Sequence, residues 1–169
     1  MNKFKDLWKN FPHKENMKKR CTNKQKDSNK PFENYCAIML SECFIRSGIS
    51  INNFKRTSCW SHSGQRHVLL AKDLANWIVK TKPTGFGKKE KITPSSFQRK
   101  LKGRTGVIYF KDYWRRGNES VNNRSGDHID LWNENEITGS SMFYRSIIEL
   151  LGFVSDLNKS KEIWFWEIK

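Results

Sequence analysis

NYCAIMLSECFIRSG, residues 34–48, decides the fold. Ala37, Leu40, Ser41 and Phe44 fall at i, i+3, i+4 and i+7, and Ile38 and Ile45 widen the apolar stripe. That is the period of an amphipathic helix. Asn34 suits its N-cap, and Gly48 suits the left-handed position just past its end. A helix with these bounds holds Cys36 in its first turn. A free thiol has a pKa of about 8.5 and attacks only as thiolate. The positive end of a helix dipole favours that anion, and a nearby imidazole favours it further.

Working outward, Phe4, Leu7, Trp8 and Phe11 repeat the helical spacing near the start, and Pro12 ends it. Residues 21–33 are polar, contain Pro31 and read as loop. The spacing predicts a second, stronger helix over residues 65–80, QRHVLLAKDLANWIVK, with His67, Leu70, Ala71, Leu74 and Ile78 on one face. Thr93-Pro94 opens a short helix through Leu101, with proline at its first position.

Strands follow. Residues 105–112, TGVIYFKD, have the β-formers and apolar centre of a central strand. Residues 127–133, DHIDLWN, alternate, with His128, Asp130 and Trp132 on one face and Ile129 and Leu131 on the other. A long polar loop, residues 113–126, joins them. Residues 141–151, SMFYRSIIELL, predict a helix ended by Gly152, and residues 163–168 predict a last strand. Helices first and strands later, without βαβ alternation, make the fold class α+β. The expectation is one domain over residues 1–169, with residues 1–30 a basic, mobile segment.

The chain of 169 residues carries 32 lysines and arginines against 17 acids, a formal charge of +15. Such a charge favours an anionic partner: nucleic acid, acidic lipid or cell-wall polymer. Lys14, Lys18, Lys19, Arg20, Lys24, Lys26 and Lys30 form a run that is either an anion-binding arm or a solvated surface. No apolar stretch approaches the roughly 20 residues of a membrane span. Aromatics at 13% argue against a disordered chain. The N-terminus has no apolar signal-peptide core, so synthesis in the cytoplasm is expected, with export left to a specialised machine.

Cys21, Cys36, Cys43 and Cys59 form no CxxC pair and match no zinc spacing. Cys43 lies mid-helix and reads as packing; Cys59 lies in a serine-rich loop. His62 and His67 could join a cysteine at a metal. The expectation is against it, because a five-residue separation spans two faces of a helix and no carboxylate completes a set. The pairing with most chemistry in it is Cys36 with His128: a nucleophile at a helix start and an imidazole able to pass its proton to a leaving amine. The competing reading makes both residues structural, since buried cysteine is a common small core residue.

The strings NYCAIMLSECF (34–44), GRTGVIYFKDYW (103–114), GDHIDLWN (126–133) and EIWFWEI (162–168), in that order, resemble the type VI secretion amidase effectors of the fourth family. That family is a branch of the NlpC-like, papain-fold cysteine peptidases, with the nucleophile at a helix N-terminus packed on a mainly antiparallel sheet. The resemblance implies an antibacterial toxin, injected into the periplasm of another cell. It would cut peptidoglycan stem peptides between D-glutamate and meso-diaminopimelate, and a cognate immunity protein would protect the producer. The motif cysteine falls on Cys36 and the motif histidine on His128. The family's acidic third residue falls at Gly139, so Asp130, two residues from His128 on the same strand face, is the expected substitute; Asn135 and Ser140 are further candidates. Trp60, Trp114, Arg115, Arg116 and Trp132 are expected at the substrate. This chemistry calls for no metal or organic cofactor, no nucleic acid and no membrane insertion. The alternative is a basic nucleic-acid-binding module, for which the chain offers charge and aromatics but no recognisable motif.

Overall fold

The computed structural model describes residues 3–23, 30–138, 140–141 and 156–169. The chain divides into two units, Met1–Pro83 and Thr84–Lys169.

In the first unit, α1 (Lys3–Asn10) buries Phe4 and Leu7, and α2 (Lys14–Arg20) buries Met17. Two short strands, β1 (Thr22–Asn23) and β2 (Lys30–Pro31), pair antiparallel where a plain loop is expected from the sequence. The unit is organised by α3 (Cys36–Arg46), which contacts α1, α2 and α4 (Ala71–Thr81). It buries Ala37, Ile38, Leu40, Ser41, Glu42, Cys43 and Phe44, more than one face, as a central helix must.

The end of α3 follows the expectation for Gly48. The Ile49 N–H donates to Phe44 at 2.8 Å and the Gly48 N–H to Ile45 at 3.1 Å, with Gly48 at φ 73°. That double closure requires a left-handed residue, and glycine takes it without a Cβ penalty. The start differs by one residue: Tyr35, not Asn34, is the N-cap, and its side chain makes no cap bond. Helix α4 begins at Ala71 rather than at 65. Residues 65–70 are extended because their backbone is already engaged. The Cys59 N–H donates to His67 at 2.7 Å, the Leu69 N–H to Thr57 at 3.2 Å, and Val68 bridges Ser58. His67 is therefore not on the helix.

The second unit is a six-stranded antiparallel sheet in the order β3-β8-β4-β5-β6-β7. The strands are β3 (Glu90–Ile92), β4 (Thr105–Trp114), β5 (Gly126–Asn133), β6 (Glu136–Ile137), β7 (Ser140–Ser141) and β8 (Glu162–Glu167). β4 is central, as its composition predicts, lying between β5 and β8. Pro94–Ser96 forms a single 3-10 turn into α5 (Phe97–Leu101). One face of the sheet closes on Phe97, whose ring meets Phe110 edge-on at 5.4 Å and Trp132 at 5.7 Å. Ile92, Leu101, Ile108, Ile137, Leu157, Ile163 and Phe165 complete this core. At Gly106 a Cβ would run into the Trp166 carbonyl and the Phe165 ring, so strands β4 and β8 approach as they do only over glycine. Of the helix expected over residues 141–151, Ser141 belongs to β7 and the rest lies outside the described residues.

Candidate active site

Cys36 is the first residue of α3 and is half-buried, whereas Cys21, Cys43 and Cys59 are buried. All four are free thiols. First-turn amide groups have no intrahelical acceptor, so the backbone there presents donors to an anion. Cys43 behaves as a packing residue, its Sγ donating to the Leu7 carbonyl at 3.1 Å.

His128 lies on β5 opposite Phe110 of β4. The ladder between these strands slips between Phe110 and Trp114, and Asp112 in the slip adopts φ 52°. The Asp112 N–H freed from the ladder donates to Asp127 Oδ1 at 3.0 Å. Trp114 lies across Gly126, where any Cβ would enter its ring, and Nε1 donates to the Asp127 carbonyl at 3.4 Å. Burial pushes the Asp127 carboxyl up. Asp127 thus holds an irregular strand end in place, immediately before His128.

The His128 Nε2–H donates to Asp130 Oδ2 at 3.2 Å. Asp130 is itself fixed: its Oδ1 accepts from the Leu131 N–H at 2.8 Å and from the Thr138 hydroxyl. Alternation along β5 brings His128 and Asp130 to one face, as expected. Thr138 is a residue that sequence reasoning missed. It arrives through the hairpin from β5 to β6, and nothing in its local sequence signals the contact. Tyr113 and Phe110 flank the imidazole at centroid distances of 6.2 Å each. Gly139 lies outside the described residues.

The remaining expected substrate residues separate. Trp60 is 41% exposed, its ring edge-on to Phe32 at 5.5 Å. Trp114 is half-buried, with the exposed Arg116 over its ring at 5.8 Å, and Arg115 is exposed beside them. Trp132 is fully buried, with Nε1 donating to the Leu101 carbonyl at 2.9 Å. A side chain with no exposed surface does not line a groove, so Trp132 belongs to the core and not to the substrate.

A second polar cluster lies wholly within the first unit. Cys21 Sγ is 3.1 Å from His67 Nδ1 and 3.5 Å from His62 Nε2, and the two nitrogens are 3.2 Å apart. These three are a group that could hold a metal ion. Residues 62–67 form no helix, so their five-residue separation does not put His62 and His67 on different faces. His67 is fully buried, and its Nε2–H donates to Glu42 Oε2 at 2.7 Å. Arg46 Nε donates to Glu42 Oε1 at 2.8 Å, and Arg20 lies 3.4 Å away. Burial works to raise the Glu42 carboxyl, but the His67 and Arg46 hydrogen bonds outweigh it and hold it below 4.5. A hydrogen bond from Cys21 holds the Cys59 thiol below its usual range against burial, with help from His67 and Ser61.

An α+β chain with an antiparallel sheet and a cysteine opening a helix defines a papain-like, NlpC-type cysteine peptidase or amidase. The family model for "type VI secretion system (T6SS), amidase effector protein 4" matches residues 32–166, and the chain belongs to that family. The match includes both Cys36 and His128. It decides for the enzyme over the nucleic-acid-binding alternative. Among solved structures, the chain is similar to the type VI effector Tae4 from Enterobacter cloacae. Identity is 19%, coverage 100% of this chain and 98% of that one, and the TM-score 0.64. The Tae4–Tai4 effector–immunity complex from the same organism matches at 21% identity, 100% and 99% coverage and TM-score 0.61. The Tae4/Tai4 effector–immunity system from Salmonella typhimurium matches at 16% identity, 100% and 99% coverage and TM-score 0.67. No curated protein matches. No helix among the described residues is long and apolar enough to cross a membrane.

Proposed function

We propose that Cys36 is the nucleophile, His128 its general base and acid, and Asp130 the residue that positions the imidazole. The observation that carries this reading is the anchored pair on β5: Asp130, held by Leu131 and Thr138, accepts from His128 Nε2 at 3.2 Å. A carboxylate on Nε2 selects the tautomer whose Nδ1 presents a lone pair. The proposed substrate is the peptidoglycan stem peptide, cut between D-glutamate and meso-diaminopimelate.

In the proposed cycle His128 Nδ1 takes the Cys36 proton, and the thiolate attacks the glutamyl side-chain carbonyl. The carbon becomes tetrahedral, and its oxyanion is met by backbone N–H groups at the start of α3. His128 returns the proton to the diaminopimelate nitrogen as the C–N bond breaks, leaving a thioester on Cys36. Water then gives a proton to Nδ1 and attacks the thioester; as the C–S bond breaks Nδ1 returns that proton to sulfur, leaving a free carboxyl group and the Cys36 thiol. Exposed Arg115 and Arg116 suit stem carboxylates. Trp60 and Trp114 offer flat surfaces to the stem. The reading includes delivery by type VI secretion into a recipient periplasm and neutralisation by a cognate immunity protein, which the effector–immunity relatives support.

The test is mass spectrometry of diaminopimelate-type muropeptides after incubation with the purified chain. New glutamyl carboxylate and diaminopimelate amine ends are expected, with none from Cys36→Ala. Cleavage by that variant, or at another bond, contradicts the reading.

A further inference from the structure

We propose that Cys21, His62 and His67 bind a divalent transition-metal ion, zinc(II) by its donor set, in the first unit. The geometry comes first. Zinc takes sulfur at about 2.3 Å and nitrogen at about 2.0–2.1 Å, so tetrahedral edges are about 3.3 Å between nitrogens and about 3.6 Å between nitrogen and sulfur. The observed edges are 3.2 Å for His62 Nε2 to His67 Nδ1, and 3.5 Å and 3.1 Å from these nitrogens to Cys21 Sγ. Side chains from two stretches, residue 21 and residues 62–67, converge to the dimensions of one coordination polyhedron.

Hydrogen bookkeeping gives an independent reason. His67 Nε2 faces the Glu42 carboxylate at 2.7 Å, and His62 Nδ1 faces the Ser63 carbonyl at 2.9 Å. Both are acceptors, so each of these nitrogens carries the ring hydrogen. The opposite nitrogens, His67 Nδ1 and His62 Nε2, then point lone pairs at one another across 3.2 Å. One thiol hydrogen on Cys21 cannot satisfy both. A cation at the centre satisfies all three donors together. The outward bonds to Glu42 and Ser63 are the kind of support that fixes the orientation of metal-bound imidazoles.

Cys59 Sγ meets the Ser61 hydroxyl at 3.1 Å and is not one of the three donors. One thiolate and two imidazoles leave the fourth tetrahedral position to a solvent ligand on the side of the half-exposed His62. The ligands lie in segments with little regular structure, and the site fastens them to the nucleophile helix. Glu42 is on α3, and the Tyr35 hydroxyl, one residue before Cys36, donates to the Cys21 carbonyl at 2.7 Å. The ion would tie these segments together.

The experiment reads metal content, not hydrolysis. The full chain, purified without a histidine tag, is expected to hold one zinc ion by elemental analysis. Cobalt(II) exchange is expected to give tetrahedral visible bands and a thiolate charge-transfer band. His62→Asn, at a half-exposed position that tolerates an amide, should weaken zinc binding at least tenfold, and Cys21→Ser should remove the charge-transfer contribution of that sulfur. Cys21 should resist maleimide until a chelator is added, with a fall in Tm on chelation. No metal uptake by the wild-type chain, unchanged affinity in both variants, or thiols released by reductant but not by chelator, as in a Cys21–Cys59 disulfide, overturns the proposal.

Discussion

The two units are similar in length but hold themselves together differently. The second has an apolar centre: aromatic and branched side chains from β4, β5, β8 and α5 close on one another, and its buried carboxylates Asp127 and Asp130 lie on β5. The first sets a polar knot against its central helix. Glu42 and His67 are both buried, and Arg20, Arg46 and Cys21 converge on them. The difference teaches where chemistry can adjust the molecule. Hydrocarbon packing does not answer to pH or metal, whereas a buried ionic cluster does. The strand bearing His128 and Asp130 leans on an apolar core, and the helix bearing Cys36 leans on ionic side chains.

The largest expected effect tests the strand side. Asp130→Asn keeps the size of the side chain but offers an amide to His128, and kcat is expected to fall by roughly 10²–10⁴ with little change in KM. The loss should come with an altered pH profile and an almost unchanged Tm. A matching loss of Tm would make Asp130 a packing residue instead. Next, Trp132→Ala removes a fully buried indole and strands the Leu101 carbonyl, and should cost about 3–5 kcal/mol in denaturant unfolding, with no dependence on chelator.

Glu42→Gln addresses the other unit and should cost about 3 kcal/mol, because His67 and Arg46 lose a buried counter-charge. It also sharpens the comparison through pH. The folded Glu42 carboxyl lies below its ordinary 4.5, so its stabilisation is complete above 4.5 and is lost as pH falls through the lower folded value. Asp127 works in the opposite sense. Its carboxyl is raised by burial, so its relative stabilisation is present below its ordinary 3.8 and lost as pH rises through the folded value. Acid titration of Tm should therefore show a Glu42-dependent fall that Glu42→Gln lacks.

Much of this was legible in the residues. The helix opened by Cys36 could be read because its apolar period and Gly48 agree, and a strand's two-residue repeat is enough to put Asp130 beside His128. The misreadings share a cause. Residues 65–70 continue a helical period, but their backbone pairs with residues 57–59, and pairing between distant segments leaves no local mark. The Cys21, His62 and His67 cluster is hidden for the same reason. Trp132 reads as a groove residue or, more commonly for an aromatic, as core, and only burial separates the two.

The most direct measurement of the central claim is the rate at which a small alkylating reagent modifies Cys36 in wild-type and His128→Ala protein, followed by peptide mass spectrometry. The buried Cys21, Cys43 and Cys59 serve as internal references. If His128 activates the nucleophile, wild-type Cys36 is modified at least tenfold faster near neutral pH, and the advantage disappears in the variant while the other cysteines are unchanged. Equal rates in the two proteins would contradict the account.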